Sequence, residues 1–174
     1  MKSPAGEKGV DTVVHGGQIV TASDVYEGGV AIEGEKIVAI GPPELLPPAQ
    51  RYIDARGKYV LPGAIDCHIH LGPEYDDWRG GPIAAAHAGL TTLIGFGLYD
   101  DRAGETLPHA ITRLREETGR QSVLDFGFHF ILCNQPYILD GLPEAFGMGV
   151  TSFKMFMTYK KRPNRMCSDD FICR

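Results

Sequence analysis

The stretch Asp66-Cys67-His68-Ile69-His70 follows an apolar, β-favouring run over residues 59–65 and is closed by a Gly-Pro pair. This pattern predicts a strand that ends in polar residues. Because side chains alternate between the two faces of a strand, we expect Asp66, His68 and His70 to share one face. Two imidazoles at this spacing have Cα atoms about 6.5–7 Å apart and can share one metal ion. The alternative is a pair of hydrogen-bonded strand histidines beside a capping aspartate.

From residue 61 onward, short apolar runs alternate with helical segments. Apolar residues recur at helical spacing over 107–114, and such alternation without hairpin signals predicts a parallel sheet. With the strand that contains residues 66–70, we count four strand–helix units, which is half of an eightfold (β/α) barrel. In such barrels the active site lies at the C-terminal ends of the strands. The other three strands are predicted at 91–94, 123–132 and 150–157.

Residues 11–60 have a different pattern, with short strands joined by tight turns. Glu33-Gly34-Glu35 between two apolar runs is a strong hairpin signal. His15-Gly16-Gly17 also separates two short apolar runs, which predicts two strands there. We therefore expect α/β architecture in two parts: a small β-sandwich segment over residues 1–60, and the first half of a TIM-type barrel over residues 61–174.

Composition excludes several classes of partner. A net charge of −5 with scattered basic residues provides no basic surface for nucleic acid. No apolar run approaches the roughly 18 residues of a membrane span. The four cysteines form no C-x-x-C pair, and the polar N-terminus lacks the apolar core of a secretion signal. We expect a cytoplasmic protein with no nucleic-acid or membrane partner.

One lysine interrupts the apolar run Thr151-Ser152-Phe153-Lys154-Met155-Phe156-Met157. An unpaired ammonium group is costly to bury, so Lys154 must be ion-paired, neutral or chemically modified. A neutral amine reacts with carbon dioxide to give a carbamate, an anion that can bridge two metal ions. The alternative is an ion-paired lysine, or one that extends its amine to solvent. Tyr159 follows in the next loop, from which a phenol can reach a substrate oxyanion.

Three segments carry a family resemblance: LPGAIDCHIH (61–70), GLTTLIGF (89–96) and SFKMFMTYK (152–160). They resemble motifs of the dihydropyrimidinase and hydantoinase branch of the cyclic amidohydrolases. The β-rich residues before them are similar to the N-terminal sandwich portion of that family, so the resemblance covers nearly the whole chain. The third segment is the most specific, because it contains both the lysine that these enzymes carry as a carbamate and the tyrosine that binds substrate.

The resemblance implies a binuclear site of two divalent metal ions, with zinc as the expected metal. His68 and His70 would bind one ion, and carbamylated Lys154 would bridge both. From its place on the same strand face, Asp66 is expected to orient the ligands. The implied reaction is the opening of a small cyclic amide, a dihydropyrimidine or a hydantoin, by a metal-bound hydroxide, with Tyr159 donating to the oxyanion. The resemblance further implies a homo-oligomer, a tetramer, in the complete protein.

Related branches match less well. Dihydroorotases usually carry an arginine just after the second histidine, to hold a carboxylate, where this chain has Leu71-Gly72. The Asn-Glu-Pro-Gly run of allantoinases is also missing there. The chain departs from the hydantoinase pattern as well, since Gly95 and Gly97 replace an Asp-Phe-Ala type of ending on the second strand.

The family takes two further histidines and a catalytic aspartate from strands beyond the fourth, whereas this sequence stops at Arg174. The chain therefore resembles the front third of such an enzyme, and we expect it to be inactive when made alone. The alternative is a non-catalytic relative that acts through oligomer assembly, as in the collapsin-response mediator group. Those proteins lose metal ligands, whereas His68, His70 and Lys154 are all present here.

Other histidines and aromatic residues are assigned lesser roles. His129 lies in an apolar strand rich in phenylalanine and is expected to be a hydrogen-bonded core histidine rather than a ligand. The loop Asp76-Asp77-Trp78 is expected to cover the mouth of the site. The remaining histidines are expected to be surface or packing residues: His15, His87 and His109.

Overall fold

The computed structural model describes residues 9–72, 76–100, 103–162 and 165–174. The chain divides into two compact units, one up to Pro62 and the other from Gly63. Each unit is built on its own sheet. Among the described residues, no helix is both long and apolar enough to cross a membrane.

The first unit is one five-stranded mixed sheet, where the sequence predicted a segment of a β-sandwich. Its strands run in the order β3-β2-β1-β4, and β5 also pairs with β1. The hairpin predicted around Gly34 is confirmed: β2 and β3 are antiparallel, and Gly34 has a φ of 59° in the turn. The strands are β1 Val10–Val20, β2 Val25–Glu33, β3 Lys36–Gly41, β4 Ala49–Asp54 and β5 Tyr59–Val60, with a 3-10 turn at Pro43–Leu45.

β1 is a single continuous strand, so the prediction of two strands around His15-Gly16-Gly17 is wrong. Its register with β2 shifts between Val14 and Gly17, and Gly16 has a φ of 73° at that point. An extra residue in one strand produces such a shift, and glycine adopts positive φ at little cost. The glycine pair therefore marks a bulge within a strand rather than a turn between two.

The second unit contains a four-stranded parallel sheet whose strands follow sequence order, β6-β7-β8-β9. This arrangement confirms the α/β class and the parallel half-barrel sheet, whereas closure into eight strands stays a prediction. The strands are β6 Ala64–Asp66, β7 Leu90–Gly97, β8 Asp125–Leu132 and β9 Phe153–Met155. The helices are α1 Gly80–His87, α2 Leu107–Gly119, α3 Leu142–Gly147 and α4 Asp169–Ile172, with a 3-10 segment at Pro136–Gly141.

The two faces of this sheet have different characters. Phe128, Phe130 and Leu132 alternate along β8 and are buried in one cluster with residues of α2 and α3. The opposite face carries His129, which pairs in register with Phe96 of β7. Lys154 lies on that same face, since its register partner is two residues beyond His129. Helices α2 and α3 thus cover one face, and His129 and Lys154 lie on the other.

Candidate functional site

Asp66 ends β6, and both His68 and His70 lie in the irregular segment that follows it. The prediction that the three residues share one face of a continuous strand is therefore wrong. Asp66 Oδ1 accepts a hydrogen bond from the backbone N–H of His68 at 3.0 Å, and this local bond takes the place of strand pairing. Ile69 N–H still donates to Ile94 O at 3.2 Å, which keeps the segment beside β7. The two imidazole rings nevertheless meet, with centres 5.4 Å apart.

The ring of Phe96 contacts all three predicted metal ligands. Its centre lies 4.8 Å from the ring centre of His68 and 4.9 Å from that of His70. The half-buried Lys154 places its Nζ atom 4.1 Å from the same ring centre. The structure thus gathers the three residues around one aromatic side chain. Phe96 was not singled out from the sequence, although its alternation along β7 was the signal that could have found it.

The geometry of the two histidines suits a shared metal ion. Two imidazoles bound to one tetrahedral zinc ion have ring centres about 5 Å apart, close to the 5.4 Å between His68 and His70. Among the described residues, no group of three His, Cys, Asp or Glu side chains is placed to hold a metal ion. Within the described residues, Lys154 is the other predicted ligand beside this pair, and its amine would become an anionic oxygen ligand as a carbamate. The donor set fits zinc if this lysine is modified.

The amine of Lys154 has no carboxylate partner in the described part of the chain. Its contacts are with the faces of two aromatic rings, Phe96 at 4.1 Å and Phe156 at 5.1 Å. The alternative of a lysine paired with an acidic residue is thus not realised among these residues. No described carboxylate therefore engages the amine in a way that would oppose its chemical modification.

Tyr159 lies after β9 and is 48% exposed. Its ring centre is 5.2 Å from that of Phe156, which also contacts the amine of Lys154. The guanidinium of Arg162 lies 5.2 Å from the ring centre of Tyr159. Among the described residues, Tyr159 is the one non-glycine residue with a positive φ, 70°. The predicted oxyanion donor therefore shares one neighbour with the lysine, the ring of Phe156, and has a backbone conformation that L-residues avoid.

His129 is half-buried, and both of its ring nitrogens are hydrogen-bonded, as expected for a structural histidine. Nδ1 bonds to the hydroxyl of Ser152, and Nε2 lies 2.9 Å from the carbonyl oxygen of Cys67. Its ring centre is 5.6 Å from that of Phe96, so His129 borders the same cluster. The sequence did not indicate that its partners belong to the segments that carry His68 and Lys154.

The loop Asp76-Asp77-Trp78 leads into α1, rather than covering the site as predicted. Asp77 Oδ1 accepts hydrogen bonds from the backbone N–H groups of Gly80 and Arg79. These bonds lower the pKa of Asp77, with that from Gly80 contributing most. The carboxylate thereby satisfies backbone donors at the start of the helix.

Trp78 packs on the face of the sheet opposite Phe96. Its ring centre lies 5.4 Å from that of Phe128, and a Cβ atom added to Gly95 would be 2.8 Å from Trp78 Cζ2. A Cβ atom at Gly97 would likewise meet the ring of Phe130 at 2.8 Å. The two glycines that depart from the hydantoinase pattern thus make room for aromatic rings.

Comparison with known proteins connects this site to a family. No family model matches the chain. The chain is 40% identical to a D-hydantoinase of Geobacillus stearothermophilus over 156 residues, which are 85% of this chain and 32% of that protein. It is 36% identical to an allantoinase of Solibacter usitatus, over 92% of this chain and 35% of the relative. The chain thus spans about a third of the length of the curated relatives it matches.

The fold is similar to that of a dihydropyrimidinase from Brevibacillus agri NCHU1002. The two structures superpose with a TM-score of 0.81 at 37% identity, over 92% of this chain and 36% of the other. The comparison of sequences and the comparison of structures thus identify the same group of proteins, the hydantoinases and dihydropyrimidinases. This chain belongs to the hydantoinase and dihydropyrimidinase family, and it corresponds to the N-terminal portion of its members.

Proposed function

We propose that this chain is part of an enzyme that hydrolyses the ring amide of a small cyclic amide, a hydantoin or a dihydropyrimidine. The observation that carries the proposal is the convergence of His68, His70 and Lys154 on the ring of Phe96. These are the donors that a zinc hydrolase of this type requires from the first and fourth strands of its barrel, which correspond to β6 and β9 here. The names of the similar proteins, D-hydantoinase and dihydropyrimidinase, support the same chemistry.

Each side chain has a distinct role in the proposal. His68 and His70 would hold a metal ion through their imidazoles, and Lys154, as a carbamate, would supply an anionic oxygen ligand. When bound, divalent metal ions supply Lewis acidity, which lowers the pKa of water and polarises the ring carbonyl. Tyr159 donates its phenol hydrogen to the oxygen on which negative charge develops. Asp66 fixes the backbone of His68 through the bond to its N–H group.

The residues after His70 bear on the substrate class. Leu71 and Gly72 provide no cation at the position where an arginine would hold a substrate carboxylate. Neutral ring amides therefore suit this site better than carboxylated ones. Allantoin also contains a hydantoin ring, and the similarity to an allantoinase makes it the necessary comparison substrate.

The test uses the protein expressed from its whole coding sequence. Turnover of hydantoin, dihydrouracil and allantoin is measured together with zinc content by elemental analysis. The variants His68→Ala and His70→Ala should lose zinc and activity together, because each removes one of two neighbouring imidazoles. The exposed His87 of α1 gives a matched control, since His87→Ala removes an imidazole from a helix that carries none of the proposed ligands.

Two results would contradict the proposal. Normal zinc occupancy in the double variant His68→Ala/His70→Ala would remove the metal assignment. A wild-type protein that assembles into oligomers but opens none of the three rings, with zinc present, would favour the non-catalytic assembly role. Preferential turnover of allantoin would keep the chemistry and change the substrate.

A further inference from the structure

His129 forms hydrogen bonds to both segments that carry the proposed metal ligands. Its Nε2 atom lies 2.9 Å from the carbonyl oxygen of Cys67, the residue before His68. Its Nδ1 atom bonds to the hydroxyl of Ser152, two residues before Lys154. One side chain on β8 therefore connects the end of β6 with the start of β9.

In the neutral form of the imidazole, the two partners determine which ring nitrogen donates and which accepts. A carbonyl oxygen only accepts, so Nε2 of His129 carries a hydrogen and donates it to Cys67 O. Nδ1 of the neutral ring then accepts, and the Ser152 hydroxyl donates to it. Because both nitrogens are engaged, with opposite roles, the ring is held in one orientation.

The peptide group between Cys67 and His68 is restrained at both ends. Its carbonyl accepts from His129, and its N–H donates to Asp66 Oδ1 at 3.0 Å. Rotation of this peptide plane would break both bonds together. The backbone that aims the His68 imidazole is therefore fixed by one local bond and by one bond from two strands away.

Packing alone does not explain a histidine at this position. Ile131, two residues later on the same face of β8, is buried with an aliphatic side chain. An apolar residue at 129 would fill the space and would leave the Cys67 carbonyl without this donor. What the imidazole adds is a pair of directed hydrogen bonds.

We propose that His129 is a positioning residue for the metal site, which holds the His68 backbone and the Ser152–Lys154 strand at a fixed separation. The inference rests on the proposed function, because its purpose is the geometry of the metal ligands. His129 itself binds no metal and touches no substrate. Its bond to Cys67 is the essential one, since that bond acts on the residue next to a ligand.

The test compares side chains that retain one bond or neither, in the protein expressed from its whole coding sequence. A glutamine amide reaches the position of Nε2, whereas an asparagine amide reaches only that of Nδ1. We expect His129→Gln to keep the zinc dissociation constant within about threefold, and His129→Asn and His129→Leu to raise it about 10- to 100-fold. Phe128→Leu, on the opposite face of β8, is the control for loss of stability, with unchanged zinc affinity.

A second readout needs no metal. In metal-free protein, hydrogen exchange of the segment 66–70 should accelerate in His129→Asn and His129→Leu but remain slow in His129→Gln. If His129→Leu does not fold, the Gln and Asn pair decides. Equal zinc affinity and equal exchange in that pair would overturn the inference.

The positioning role of His129 and the proposed function predict different zinc binding by the same variants. Zinc lost in His68→Ala but bound normally by every His129 variant would refute the positioning role alone. Zinc bound normally by His68→Ala would refute the proposed function. In that case, accelerated exchange in His129→Asn would still show that His129 restrains the segment 66–70, but not that this restraint serves a metal site.

Discussion

The amine of Lys154 lies 4.1 Å from the centre of the Phe96 ring. A cation over an aromatic face is stabilised by about 0.5–1 kcal/mol at a partly exposed site, whereas the negative face of the ring repels an anion. Phe96 therefore favours the unmodified lysine in metal-free protein, and the proposed carbamate would form against this contact. Removal of the ring should favour the carbamate.

We expect Phe96→Leu to lower the bicarbonate concentration that gives half-maximal carbamate in metal-free protein by about two- to fivefold, the equivalent of 0.5–1 kcal/mol. The measurement is a titration with carbon-13 bicarbonate, followed by the carbamate resonance. Lys154→Ala identifies that resonance by its loss. An unchanged titration in Phe96→Leu would show that the ring contact does not compete with the modification.

Lys154→Ala should abolish zinc binding and activity, because it removes the carbamate oxygens that are proposed to bridge the metal ions. A short carboxylic acid such as acetate or propionate should partly restore both, by supplying a carboxylate in the space left by the side chain. Neither acid should affect His68→Ala, in which the bridge is intact. Lys154→Ala with normal zinc and activity would contradict the bridging role.

Tyr159→Phe removes the phenol hydroxyl and keeps the ring that packs on Phe156. Loss of one oxyanion donor typically costs about 10²–10³-fold in kcat, so we expect a fall of that size with little change in thermal stability. Tyr59→Phe, on the exposed short strand β5, is the matched control. A change in KM alone would indicate that Tyr159 binds substrate without stabilising the developing charge.

Gly95→Ala should destabilise the second unit, because its Cβ atom would lie 2.8 Å from the Trp78 indole. Forcing an extra methyl group into a packed core typically costs about 1–3 kcal/mol. Gly127→Ala is the control on the next strand, where the nearest atoms, those of Ile94, lie at 3.9 Å. Denaturant unfolding measures both variants, and Trp78→Ala should suppress the difference between them. Equal effects in the Trp78-containing background would contradict this packing argument.

Glu105 contributes stability that depends on pH. Its side chain is 7% exposed and accepts two hydrogen bonds from Arg113 and one from Asp100 N–H. These bonds lower the pKa of Glu105 from 4.5 to about 2, and Arg113 contributes most to this change. A lowered carboxyl pKa means that the stabilisation is complete above pH 4.5 and is lost as the pH falls towards 2. We therefore expect Glu105→Gln to cost about 2 kcal/mol at pH 7, and less as the pH falls from 4.5. The exposed Glu116 gives the control Glu116→Gln in the same urea titrations, and equal losses in both would contradict the prediction.

Periodicity and local motifs predicted much of this fold, because each strand and helix of the second unit is encoded by nearby residues. The parallel order of the strands followed from that pattern, as did the places of His68 and His70 after β6 and of Lys154 in β9. Local pattern failed where a side chain competes with the backbone: the Asp66 carboxylate captures the His68 N–H group and ends the strand early. It also could not reveal His129 as a link, since Cys67 and Ser152 are far from it in sequence and meet it only in the folded sheet.

At Tyr159, the left-handed backbone lowers stability, whereas the side chain has a proposed role in the reaction. A non-glycine residue in this conformation costs about 1–2 kcal/mol, and glycine would adopt it without that cost. Tyr159→Gly should therefore stabilise the loop while removing the phenol that the proposed reaction uses. Selection of variants for thermal stability alone would favour replacement of this residue, and such a screen would lose the proposed oxyanion donor without any sign of misfolding.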